Sequence, residues 1–316
     1  MAAIPRIALI GAGSMGSNHA RVLAETDDAE LAIVIDIEVE RARQLADRFG
    51  CGFATDIEAA ASCDAAVVAT PTALHLPHTR ELIDLGKPVL VEKPVTPSIE
   101  TTRAIVTASE RAGTPLMCGF VERFNPVVTT VLGMLADVPL HLVAMRHSPK
   151  TPSSTLSVAL DLLIHDIDLV LRYMGDRPVR QVVSVATSPG TDMAEVADCI
   201  LRFETGAVAM MSASRTSQRK VRTHVIETGD ALYDVDLLRQ DITVYQHRSH
   251  EAVYRDGLSY RAETVVDIPF VRHGGEPLGL QLRHFLRLIA GNVDVDLERA
   301  SILPAHEVAA LVEANA

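Results

Sequence analysis

Three glycines, Gly11, Gly13 and Gly16, follow directly on the apolar run Ile7–Ile10 and open a segment of helical spacing, Ser14 to Thr26. A strand that stops at glycine and resumes as a helix leaves few choices. Gly11 permits the tight turn, Gly13 lets backbone approach a phosphate, and Gly16 lets helix and strand pack closely. The helix start, with Ser14 and Met15, adds unpaired N–H groups and the positive end of a dipole. A second apolar run, Leu31 to Ile35, ends at Asp36, 20 residues past Gly16. A carboxylate there accepts from adenosine ribose hydroxyls and repels a 2′-phosphate. The start of the chain therefore reads as a dinucleotide-binding unit that favours NAD over NADP, although Arg41 and Arg43 stand nearby.

The alternation continues. Helical spacing over Glu38 to Phe49 closes at Gly50; Ala65 to Ala69 is a strand, Leu76 to Leu85 a helix before Gly86, and Val89 to Val91 a strand. Thr96-Pro97 predicts an N-cap followed by proline at the first helical position, with the helix running to Ala112, and Leu116 to Phe120 is a further strand. The strands are continuous apolar runs rather than alternating ones, the pattern of a parallel sheet covered on both faces. Asn125-Pro126 opens another helix, Leu140 to Arg146 is a strand, Ser148 to Thr155 a loop, and Ser157 to Met174 a long helix. Strands then follow in series: Gln181 to Thr187, Ala197 to Phe203, Ala207 to Ala213, Arg222 to Glu227, Ala231 to Asp236 and Ile242 to Tyr245. Thr205-Gly206 and Gly229-Asp230 mark hairpin turns. Leu278 to Ala290 and the C-terminus return to helix. The expected fold is α/β: a Rossmann domain over 1–119, then an α+β domain over 120–316 with a large, mainly antiparallel open sheet.

With 316 residues and a net charge of −12, the chain is long enough for two cores and repels phosphate backbones, so no nucleic-acid partner is expected. Cys51, Cys63, Cys118 and Cys199 form no CxxC pair, which argues against zinc and redox motifs and for reduced thiols; no metal is expected. No apolar run reaches membrane length and no signal pattern precedes Ile7, so a cytoplasmic protein without a membrane partner is expected.

Glu92-Lys93-Pro94 ends the strand at Val89, at the edge where parallel sheets place their sites. Together with Gly11-Ala12-Gly13-Ser14-Met15-Gly16, His19 and Ala69-Thr70-Pro71-Thr72, it closely resembles the Gfo/Idh/MocA family of oxidoreductases. The resemblance implies reversible oxidation of a secondary alcohol on a sugar or cyclitol. It also implies a cofactor site drawn from Gly11, Gly13, Ser14, Met15, Gly16, Asp36, Thr70, Pro71, Thr72, His75, Glu92 and Lys93, and an open sheet used for a homodimer or homotetramer. The apolar residues Val208, Met210 and Ile226 are candidates for its free face. The family's second signature, D-x-x-x-H, falls on Asp161 and His165. At 100° per residue, Asp161, His165 and Asp168 share an arc of roughly 60°. The glycines that often precede this signature are replaced by Ser157-Val158-Ala159. Arg123-Phe124-Asn125-Pro126 and His165-Asp166-Ile167-Asp168 resemble most the UDP-N-acetylglucosamine 3-dehydrogenase branch. That implies Lys93, Arg123, Asn125, Asp161 and His165 at the substrate, with Arg146, Lys150 and Arg215 as further candidates for a diphosphate.

Alcohol oxidation needs a base beside the hydroxyl. Lys93 and His165 are the titratable candidates, Lys93 to polarise the oxygen and His165 to take the proton, with Asp161 orienting the substrate or the imidazole. An ammonium is a poor base at its ordinary pKa of about 10.4, and burial or a neighbouring cation lowers it, so either residue could accept the proton first. Besides a sugar or sugar-nucleotide dehydrogenase, two readings stay open. One is an inositol or free-sugar dehydrogenase of the same family. The other lies outside the class: a glycosidase that uses NAD without net NADH, or a non-catalytic NAD sensor.

Overall fold

The structure is a computed structural model. It describes residues 4–150, 155–175, 177–188, 193–254 and 257–315, with the backbone alone for 249–254 and 257–262. Residues 151–154 of the expected loop lie outside the described residues. The chain divides into two compact units, Met1–Phe124 with Gly275–Ala310, and Asn125–Gly274 with Leu311–Ala316.

The first unit opens β1 (Arg6–Ile10), α1 (Ser14–Ala24), β2 (Glu30–Ile35), α2 (Val39–Phe49), β3 (Gly52–Ala54), β4 (Ala65–Val68), α3 (His75–Asp84), β5 (Val89–Glu92), α4 (Ile99–Ala112) and β6 (Leu116–Gly119). Its six strands lie in the order β3-β2-β1-β4-β5-β6, all parallel. The continuous apolar runs explain this: every residue of β4, β5 and β6 is buried, as helices on both faces require. The order reverses at β1, whose neighbours are β2 and β4, and that switch point puts a crevice at the carboxyl ends of the strands. Glycine in the left-handed region stops α2 at Gly50 and α4 at Gly113. The expected cap of α4 at Thr96 is corrected: Ser98 caps it, its side chain accepting from the Thr101 N–H, while the Thr96 hydroxyl donates to the Ser98 carbonyl. The β3 strand was not expected; its three residues are too short and exposed to carry a hydrophobic pattern.

The second unit begins with α5 (Pro126–Met134), β7 (His141–His147) and α6 (Ile164–Tyr173). It continues with β8 (Val179–Thr187), β9 (Val196–Phe203), β10 (Val208–Ser214), β11 (Val221–Glu227), β12 (Leu232–Asp236), β13 (Asp241–Tyr254) and β14 (Gly257–Asp267). The eight strands run in the order β14-β13-β12-β11-β7-β10-β9-β8, antiparallel except for β7 beside β10. Both expected hairpin turns are present, joining β9 to β10 and β11 to β12. The hairpin of β13 and β14 extends well past the expected end at Tyr245, since its polar residues gave no period-2 signal. Along β9 and β10 burial alternates, and the outward set forms one cross-strand row: Val183, Ile200, Met210, Val143 and Val225. Ile226, expected on the open face, is fully buried on the inner one. A shift of one residue in a strand exchanges the faces, and Val225 takes the outward place.

The chain then returns with α7 (Pro277–Ile289), α8 (Val295–Ala300) and α9 (Leu303–Ala314). The expected second domain over 120–316 is thereby corrected. Leu278, Leu282, Phe285 and Leu288 of α7 belong to the buried cluster of the first unit, together with Leu9, Val34, Val67 and Leu90. The amphipathic face of α7 was legible, but the partner that would bury it was not.

Candidate active site

In the first unit, the expected cofactor residues gather at the carboxyl ends of β1, β2, β4 and β5. Gly11 has φ +100°, and a Cβ there would stand 2.8 Å from the Ala69 carbonyl; a Cβ on Gly16 would stand 1.9 Å from the Gly11 carbonyl oxygen. Both positions demand glycine for close packing. Gly13 differs, since a Cβ there meets nothing within 4 Å. Gly13, Ser14 and Met15 are exposed, and α1 begins with neither a side-chain cap nor an acid in its first turn. Exposed N–H groups at a helix start, open space above Gly13 and the absence of a competing carboxylate are what a pyrophosphate needs, so these residues fit a dinucleotide.

Asp36 ends β2 half-buried. Its carboxylate accepts from the Ala12 N–H at 2.7 Å and the Glu38 N–H at 2.9 Å. It thus ties the glycine loop to β2, and a carboxylate with about four acceptor positions keeps others for a ligand hydroxyl. Ile37 is 83% exposed beside it, an apolar neighbour where a 2′-phosphate would call for a cation.

Glu92 and His75, expected against the cofactor, are buried among protein groups. Glu92 takes His19 Nε2 at 2.7 Å on one oxygen and the Lys93 N–H at 3.3 Å on the other. Gly119 makes room for it, since a Cβ there would stand 2.9 Å from Glu92 Oε2. His75 places both ring nitrogens 2.9 Å from carbonyl oxygens, of Pro94 and of Thr70. Burial pushes the His75 imidazolium down, although the carbonyls of Pro94 and Thr70 favour it; a neutral ring donates to one carbonyl at a time. Lys93 is half-buried between these anchors.

In the second unit, Asp161 lies in a π-helical turn, Ala159–Leu163, that runs directly into α6. The wider turn corrects the expected stripe, because 100° per residue does not hold across it; such turns recur at functional sites. Asp161 and His165 are half-buried, whereas Asp168 is buried and lies 3.7 Å from Arg172. Asp161 faces Arg215 Nη2 at 3.2 Å. Between them on the helix, Asp166 is the functional-looking acid that sequence reasoning passed over. Arg146 donates to both its oxygens at 2.8 and 2.9 Å, and His224 Nε2 lies at 3.1 Å. Burial alone would raise this carboxyl; Arg146 and His224 outweigh that and hold it well below the usual carboxylate range. The only sequence signal was Asp166 falling on the apolar side of an otherwise amphipathic helix.

The cations expected at a diphosphate are matched one by one with acids: Arg146 with Asp166, Arg215 with Asp161, and Lys150 with Glu195 at 3.1 Å. Arg123, in the first unit, is buried against Ser301 and Phe120 and stands 3.7 Å from Glu298. Asn125 caps α5, accepting from the Val127 N–H, and donates to the Leu237 carbonyl. Among the described residues, no three His, Cys, Asp or Glu side chains gather as a metal site, and no helix is long and apolar enough to cross a membrane. Cys63, Cys118 and Cys199 are buried, and burial pushes the Cys199 thiol up to about 12.

Fold and glycine loop together define a dinucleotide-binding protein. Residues 5–120 match the model of the oxidoreductase family with an NAD-binding Rossmann fold, and residues 141–232 match the GFO/IDH/MocA C-terminal domain. The chain is 30% identical over 295 residues to a UDP-N-acetylglucosamine 3-dehydrogenase of Acidithiobacillus ferrooxidans, covering 91% of this chain and 89% of that one. It is 31% identical to an inositol 2-dehydrogenase of Mycolicibacterium gilvum, over 74% of this chain and 73% of the relative. The solved structure of the former enzyme, GnnA, superposes with a TM-score of 0.86 at 27% identity, covering 98% and 97% of the two chains. GenD2 from gentamicin A biosynthesis, solved in complex with NAD, shares the fold with a TM-score of 0.78 at 21% identity, covering 100% and 95%. The chain belongs to the Gfo/Idh/MocA family of oxidoreductases.

Proposed function

We propose that this chain oxidises a secondary alcohol of a sugar or sugar nucleotide with NAD, C3 of a UDP-linked N-acetylhexosamine being the leading substrate, in the cytoplasm. The observation that carries the reading is Lys93, held at the same strand edge as an open, uncapped glycine loop whose Asp36 suits a ribose diol. NAD, when bound, supplies the hydride acceptor. Lys93 donates to the alcohol oxygen and stabilises the charge that develops there, and His165 takes the proton, with Asp161 orienting the substrate beside Arg215. Full-length similarity to a sugar-nucleotide enzyme supports the substrate.

A second reading, an uncharged sugar or cyclitol, is favoured by a specific observation. Every cation considered for the diphosphate already has its own carboxylate, so charge gives a diphosphate no advantage. The values of kcat/KM for UDP-N-acetylglucosamine, myo-inositol and glucose separate the two. The first reading predicts at least about a tenfold preference for the sugar nucleotide, or roughly 1.4 kcal/mol; the second predicts equal or better activity on the uncharged substrates, a result that discards the first. We further propose a homodimer or homotetramer through the row of Val183, Ile200 and Met210, which stays 40–48% exposed. Light scattering that gives a monomer at micromolar concentration overturns this.

A further inference from the structure

Three buried histidines from three helices converge on four consecutive residues. His19 of α1 holds the Glu92 carboxylate at 2.7 Å, and His75 of α3 holds the Pro94 carbonyl at 2.9 Å. His306 of α9 accepts from the Val95 N–H at 3.0 Å. Each ring is at most 3% exposed. Lys93 is the residue enclosed, with its own N–H on Glu92. We propose that His19, His75 and His306 are positioning residues that fix the backbone on both sides of Lys93, and so the place of its ammonium.

The hydrogen bonding supports more than core filling. His306 Nδ1 lies 2.7 Å from the Ile302 carbonyl, so it carries the proton and leaves Nε2 as the acceptor that Val95 requires. The second nitrogen of His75 faces the Thr70 carbonyl, which the neutral ring holds in alternation with that of Pro94, and His19 sits on the helix that begins in the glycine loop. The turn around Lys93 is therefore tied to two of the segments that would hold the cofactor. A lysine reaches its target through a flexible stem, so its Cα must be fixed by the backbone if the amine is to stay within about 0.5 Å of a productive position.

This inference rests on the reading of Lys93 as the group that meets the substrate hydroxyl, and the test separates the two. His75→Phe and His306→Leu remove the contacts; His306→Gln restores an acceptor for Val95. Competitive acetylation of the whole protein with acetic anhydride in the presence of NAD, read by mass spectrometry, compares Lys93 with Lys87, Lys150 and Lys220 as internal references. Lys93 is expected to react at least about threefold faster in the first two variants and at the unmodified rate in His306→Gln, with the references unchanged. With UDP-N-acetylglucosamine or myo-inositol, kcat should fall at least about tenfold while KM and NAD affinity stay within about threefold. Unchanged Lys93 acetylation in a variant that melts within about 5 °C of the parent and binds NAD overturns the proposal. Where His75→Phe does not fold, His75→Asn is read by the same criterion. If the unmodified protein turns over neither substrate, the proposed function fails, and the acetylation pattern still decides whether the histidines position Lys93.

Discussion

Around Lys93 the first unit works with single imidazoles, two of them set against backbone groups and one against the Glu92 carboxylate, whereas around His165 the second unit works with arginine and lysine paired to carboxylates. His75 and His306 make contacts that carry no formal charge when the rings are neutral. Arg146–Asp166, Arg215–Asp161 and Lys150–Glu195 are carboxylate pairs, and the first is buried on both sides. The difference follows from what each region must carry. A turn that presents one reactive amine gains from short-range anchors that fix its backbone on both sides. A helix lying against a sheet interior can bury an arginine only by neutralising it, because an unpaired buried charge costs several kcal/mol.

The largest effect expected from breaking this contrast lies in the first unit. Lys93→Ala should lower turnover by about a thousandfold or more, through lost stabilisation of the charge that develops on the alcohol oxygen, while NAD affinity by calorimetry stays within a few fold. Normal turnover in that variant removes Lys93 from the reaction.

The matching change in the second unit should act on stability instead. Asp166→Asn strands Arg146 in the interior and should cost about 3–5 kcal/mol at pH 7 in denaturant unfolding. The pH dependence has a defined sign. The Asp166 carboxyl is depressed in the folded state, so its contribution is fully present above the unfolded value of about 3.9 and is lost as pH falls below it. The parent protein should therefore lose stability more steeply between about pH 4 and 2 than Asp166→Asn does. Parallel acid limbs would contradict the pairing.

A smaller effect concerns cofactor choice. NAD should bind at least about tenfold more tightly than NADP, and Asp36→Ala should narrow that gap. Since Asp36 also receives the Ala12 and Glu38 N–H groups, the variant should weaken NAD itself by a few fold. An unchanged NAD affinity would mean that these two bonds do not shape the glycine loop.

The two regions were also unequally legible in the sequence. The glycine loop and Asp36 are a local code: spacing fixes the backbone, and the backbone makes the site. Glu92-Lys93-Pro94 was visible for the same reason, but its anchors were not. His19, His75 and His306 lie far from it in the chain, and nothing in their spacing shows that they converge. In the second unit the apolar alternation gave the strands, and yet the partner of each charge depended on the fold. Arg146 meets Asp166 across a strand and a helix, and Arg215 meets Asp161 across a still longer separation. The π-helical turn at Ala159–Leu163 left no mark in the apolar periodicity, so the angular placing of Asp161 against Asp168 came out wrong. The return of α7 to the first unit was hidden because an amphipathic helix does not announce which core it joins.

The cofactor edge and the Lys93 turn are proposed to serve alcohol oxidation. The most direct test of that role is the absorbance of NADH formed from NAD by the unmodified protein, with sugar nucleotides, free sugars and inositols as alternative substrates. Stoichiometric NADH is expected with at least one of them. Tight NAD binding with no NADH from any, or product formed without net NADH, would contradict it and point instead to a sensor or a glycosidase.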